Sequence, residues 1–96
     1  MKLVDLLQQL DNLDEDQTIY IEEDSWSGTS EVVVSFEPDD GSIPPEAAGK
    51  KYLLEVDLAG EVLEVWSDWR AGREPTPKDM VEAIIYYARN DAYMPV

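Results

Sequence analysis

Apolar positions along the chain change period several times, and each change marks an element. Leu3, Leu6, Leu7, Leu10 and Leu13 recur at helical spacing, so residues 2–13 read as an amphipathic helix. In Gln17–Glu23, Ile19 and Ile21 alternate with Thr18, Tyr20 and Glu22, which predicts a strand. The turn-rich residues 24–30 follow, and Glu31–Glu37, with three valines in a row, is the clearest strand in the chain. These two strands are expected to pair as an antiparallel hairpin with a long loop. Pro38–Lys50 contains Pro-Asp-Asp-Gly and Pro44-Pro45 and reads as a loop, and Lys51–Val56 reads as a third strand.

Asp57–Ala71 admits two readings. A helix gathers Leu58, Val62, Val65, Trp66 and Trp69 in one arc, while Gly60 weakens it and leaves a Leu-Ala-Gly hairpin open. The helical period fits better. Gly72 ends that element, and Thr76-Pro77-Lys78-Asp79 opens a last helix with an N-cap, a first-turn proline and an acid at the positive dipole end. Met80, Val81, Ala83, Ile84, Tyr87 and Ala88 form its apolar arc, up to about Asn90. The expected order is α-β-β-β-α-α. It describes an α+β fold in which a small antiparallel sheet of about three strands packs with three helices, as a single domain over residues 1–96.

Charge alters this picture more than composition does. Hydrophobic residues make up 44%, and three Trp with five Tyr argue for a folded chain. The net charge is −15, and its distribution is skewed. Between Leu3 and Gly49 stand thirteen acids and no base; from Lys50 onward nine acids face six bases. Solubility alone needs only about 2–8 net charges on a small domain. Self-repulsion of this size costs stability, so the excess asks for a function. Phosphates and anionic membranes would be repelled, which excludes direct nucleic-acid or membrane binding, whereas a basic protein would be attracted and steered in. No apolar run approaches the ~18 residues of a membrane span, and Asp5 with two Gln interrupts the opening before it resembles a signal peptide. The expected setting is the cytoplasm.

Histidine and cysteine are absent, which removes the usual general base, the activated thiol and the common zinc ligands. Acids are abundant, but no Asp-x-Asp-x-Asp-Gly calcium loop or phosphate-binding loop is present. The expectation is a binding protein, not an enzyme, with no metal or cofactor.

Three constellations are candidates for contact with a partner. If residues 57–71 are helical, Asp57, Glu61, Glu64 and Asp68 fall at i, i+4, i+7 and i+11 on one face, uninterrupted by a base, with Trp66 and Trp69 near its edge. The alternative is a solvated face with its tryptophans in the core. Trp26 follows Glu22, Glu23 and Asp24 in a Gly/Ser loop, where it either contacts a partner or folds back onto the sheet. Tyr86 lies roughly opposite the apolar arc of the last helix, near Asp79, Glu82 and Arg89, and either contacts a partner or stacks on Arg89. Asp39 and Asp40 add a further acidic pair in the central loop.

The opening Asp5-Leu-Leu-Gln-Gln-Leu-Asp-Asn-Leu13, the strand Thr18-Ile-Tyr-Ile21 and the close Ala83-Ile-Ile-Tyr-Tyr-Ala-Arg-Asn-Asp-Ala-Tyr93 resemble small acidic bacterial immunity proteins. Those proteins are encoded beside polymorphic or contact-dependent growth-inhibition toxins. The resemblance implies tight binding to a cognate toxin domain, basic if the toxin is a nuclease. The chain itself is expected to be a monomer or weak homodimer. It carries over no binding residues. Two other classes stand beside it. One is a DNA mimic that inhibits nucleic-acid-binding proteins broadly, and the other is a small enzyme using paired carboxylates.

Overall fold

The computed structural model describes residues 1–23 and 25–96. Asp24, one of the candidate contact residues, lies outside the described residues. Three antiparallel strands form the sheet: β1 (Thr18–Glu22), β2 (Val32–Ser35) and β3 (Lys50–Glu55), in the order β2-β1-β3. Three α-helices, α1 (Leu3–Leu7), α2 (Val56–Asp68) and α3 (Pro77–Asn90), complete the α+β fold in the expected order. The expected hairpin forms, with Ile19 opposite Val34 and Ile21 opposite Val32.

β1 is the central strand, and its two faces have different covers. Ile19 and Ile21 point into the core with Leu3, Leu6, Leu7, Val62, Trp66 and Ile84 from the helices. Thr18 and Tyr20 point the other way, under the loop that follows β2. Glu46 of that loop accepts a hydrogen bond from the Ser35 hydroxyl, and Ala47 beside it is fully buried. The Ser35 hydroxyl also holds the Glu46 carboxyl below its usual range. The Tyr20 hydroxyl is buried. Burial first, then the nearby Glu37 carboxylate, raises its pKa above 10.0.

The first helix is shorter than its leucine spacing predicts. The chain leaves α-helical geometry at Gln9 (φ −129°) and continues as a single 3₁₀ turn, Leu10–Asn12. A five-residue helix without a side-chain cap has little intrinsic stability, and Asp11 and Asn12 favour turns. Leu10 and Leu13 still pack against the core, but from a tighter turn that redirects the chain towards β1.

Residues 57–71 resolve in favour of the helix, which begins immediately after β3 with no intervening loop. The amides of Val56 and Asp57 donate to the carbonyls of Gln17 and Glu15, at 2.9 and 3.3 Å. Neighbouring backbone thus satisfies two of the first-turn donors that a helix leaves free. The helix ends before Ala71 and Gly72, both in left-handed geometry, and the Gly72 amide returns to the Ser67 carbonyl at 2.9 Å. At α3 the expected cap is a full capping box. The Asp79 amide donates to the Thr76 hydroxyl, and the Thr76 amide donates to the Asp79 carboxylate.

Candidate functional site

The carboxylates of α2 stand where the helical period puts them. Asp57, Glu61, Glu64 and Asp68 are all exposed, while Val56, Ala59, Val62 and Trp66 fill the buried face. Along this row, like charges at i,i+3 and i,i+4 destabilise the helix by about 0.2–0.5 kcal/mol per pair. Asp68 stands at the negative end of the helix dipole, with no base in the last turn. The sequence accepts several small costs to keep this face anionic.

The row also forms one wall of a cleft of about 570 Å³. The facing wall is the turn after α1, which adds Asp11 and Glu15. Leu10, Leu13 and Val56 supply apolar lining, and Gly60 sits on the helix side, where a Cβ would meet no described atom within 4 Å beyond its chain neighbours and its own helix backbone. Five carboxylates therefore surround a partly apolar cleft, an arrangement suited to a long cationic side chain with an aliphatic stem. Among the described residues, no three acids gather closely enough to hold a metal ion.

The protein's own cations are placed elsewhere. Arg70 and Arg73 lie over the ring of Trp66, 4.4 and 4.9 Å from its centre. Arg89 and Lys51 lie over Trp26, at 5.4 and 5.9 Å. Among the described residues, the only ion pair between side chains is the exposed Lys78–Glu82 contact at 3.7 Å; the N-terminal ammonium pairs with Glu31 at 3.1 Å. With most bases on tryptophan rings, none of the described residues forms an ion pair with the α2 row.

The two tryptophans of α2 part company. Trp66 is core, 3% exposed. Trp69 is 50% exposed and caps the helix end, so it does not share the buried arc. Its ring meets Tyr93 edge-on, with centres 5.7 Å apart, and Tyr93 leans on Tyr87 at 5.3 Å. The Tyr93 hydroxyl lies beside Glu61; burial first and that carboxylate second raise the Tyr93 pKa above 10.0. An aromatic ledge thus adjoins the acidic row, through a C-terminal residue whose part the helical pattern could not reveal.

The other candidates do not join this face. Trp26 is half-buried and folds back onto the core, its indole N–H donating to the Glu22 carbonyl at 2.9 Å. It lines a separate groove of about 560 Å³ with Val81, Ile85, Tyr86 and Arg89. Tyr86 is half-buried at that groove, Glu22 is half-buried at the end of β1, and Glu23 is exposed. Asp39 and Asp40 are exposed in the loop after β2. Asp40 there shapes a local turn: the Ser42 hydroxyl and amide hold its carboxyl below the usual range. Among the described residues, no helix is long and apolar enough to cross a membrane.

The family model for DUF7716, described as a domain of unknown function, matches residues 1–96, and the chain belongs to that family. No curated protein and no solved structure matches the chain significantly.

Proposed function

We propose that this DUF7716 member is a binding protein that neutralises one basic protein partner through the acidic face of α2, without catalysis of its own. The observation that carries the reading is the charge arrangement. Among the described residues, a row of four exposed carboxylates and two more across a cleft have no ion-pair partner, while four of the seven bases lie over tryptophan rings. A surface kept anionic at a cost to its own helix is suited to a cationic partner, because complementary charge speeds encounter and rejects wrong partners.

The resemblance to immunity proteins of toxin systems narrows the partner to a cognate toxin domain, of the nuclease type, met in the cytoplasm. A nucleic-acid-cleaving domain needs a basic cleft to hold phosphates, and masking that cleft requires shape and charge only.

The test is direct titration against the basic toxin domain encoded by the adjacent gene. The expected result is a nanomolar or tighter complex whose association rate falls as salt rises. Absence of a toxin domain beside the gene, or absence of binding to it, would overturn the reading. Equal competition with several unrelated DNA-binding proteins would replace it with broad mimicry of nucleic acid.

A further inference from the structure

We propose that the ledge formed by Trp69 and Tyr93, with the Glu61 carboxylate beside it, seats an arginine side chain of the partner. This rests on the binding function proposed above and names the residue type that anchors it.

The three tryptophans of this chain differ in what covers them. Trp66 carries Arg70 and Arg73 over its ring, and Trp26 carries Arg89 and Lys51. Trp69, half exposed, has no cation of the described residues over it. Two carboxylates border the ledge: Asp68 precedes Trp69 in the chain, and Glu61 stands beside its ring partner Tyr93, while the neighbouring Arg70 is turned onto the Trp66 ring and the carbonyls of Trp66, Met94 and Pro95. An exposed indole bordered by carboxylates is the combination that attracts a cation to an aromatic face.

The ledge is also held in place. The Trp69 amide donates to the Val65 carbonyl at 3.0 Å, and Tyr93 rests on Tyr87 of α3. Arg70 fixes the segment beyond Tyr93 by donating to the carbonyls of Met94 and Pro95, at 3.4 and 3.1 Å. A surface already ordered before binding loses little freedom on contact. Half-exposed aromatics of this kind are typical energetic centres of an interface.

Arginine fits better than lysine for two reasons. A planar guanidinium stacks flat on a ring while its N–H groups still reach a carboxylate, which a compact ammonium does less well. The chain shows the same preference within itself, since three of the four cations over its tryptophans are arginines.

The probe is a blocked tetra-arginine peptide, compared with a blocked tetra-lysine peptide, in an NMR titration that follows the three indole N–H signals and the α2 amides. The arginine peptide is expected to shift the Trp69 indole and Tyr93 signals saturably, about threefold or more tightly than the lysine peptide. Trp69→Leu is expected to weaken arginine-peptide binding by about tenfold. Because that change also removes a packing partner of Tyr93, Trp69→Phe serves as the second variant and is expected to recover part of the loss. Melting curves check that both variants fold. Shifts confined to the α2 amides with the Trp69 signal unmoved would overturn the arginine seat and leave the binding function standing; so would equal response to the two peptides. No saturable shift anywhere on the row with either peptide would overturn the binding function itself.

Discussion

The guanidinium of Arg70 lies 4.4 Å from the centre of the Trp66 ring and donates to the carbonyl of the same residue at 3.0 Å. One cation therefore covers a core aromatic, satisfies a carbonyl at the end of α2 and, through Met94 and Pro95, ties down the C-terminal segment. It does none of this for a carboxylate. That separation of bases from acids underlies the functional account and the predictions that follow from it.

Arg70→Ala should lower stability by about 1–2 kcal/mol, combining a lost cation–π contact with lost charged hydrogen bonds. Urea unfolding measures the change. Backbone relaxation should show the order parameters of residues 92–96 falling while those of β1 hold, because the tail is released.

The acidic row should trade stability for binding. Glu64→Gln removes one i,i+3 and one i,i+4 repulsion, so the helix should gain roughly 0.4–1 kcal/mol, read by thermal melting. Added salt should raise the melting temperature of the parent chain more than that of the variant, since screening relieves what the substitution has already removed. A loss of stability in Glu64→Gln would mean the row has a structural role that its exposure hides.

Gly60→Ala should stabilise the protein by about 0.5–1 kcal/mol, the usual gain from replacing an interior helical glycine. Apart from its chain neighbours and the backbone of its own helix, no described atom lies within 4 Å of the added methyl group, at a position that lines the cleft. Destabilisation in urea unfolding would show that the cleft is closed in solution.

At the start of α3, Thr76→Ala should cost about 1 kcal/mol through loss of the N-cap hydroxyl. Acid unfolding adds a signed test at the same place. The Thr76 amide first, then its hydroxyl, holds the Asp79 carboxyl below 3.8. A depressed native pKa stabilises the fold above the unfolded value and loses that contribution as pH falls through the native one. An NMR titration should therefore find Asp79 releasing its proton below 3.8, and later in Thr76→Ala than in the parent.

Much of the fold was legible because the local signals agreed with the packing. The Thr76-Pro77-Lys78-Asp79 cap, the Ile19/Ile21 alternation and the valines of β2 each specify their element without help from the rest of the chain. Asp57–Ala71 was ambiguous because Gly60 is a weak helix former. The structure decides for the helix because the carbonyls of Glu15 and Gln17, before β1, receive its first amides, a long-range fact that spacing cannot carry. The same limit explains α1, where five leucines at helical spacing mark a buried side but not where the helix stops. The α2 row was readable from period alone. Asp11 and Glu15 were not, since they reach it across a cleft made by tertiary folding. Nor was Tyr93, which joins through the C-terminal segment. Trp66 and Trp69, three residues apart, looked equivalent. What separates them is that one faces the core while the other caps the helix end.

The most direct measurement compares two sets of charge removals in calorimetric titration against the basic toxin domain. One set is Asp57→Asn, Glu61→Gln, Glu64→Gln and Asp68→Asn together. The other removes the same four charges at Asp5, Glu37, Asp39 and Asp91, exposed positions outside that face. If α2 is the binding face, the first set should weaken the complex by a hundredfold or more, about 2.7 kcal/mol, while melting at a higher temperature than the parent, and the second should change affinity several-fold at most. Equal losses from the two sets would reduce the effect to net charge, and an undiminished complex in the first set would contradict the account outright.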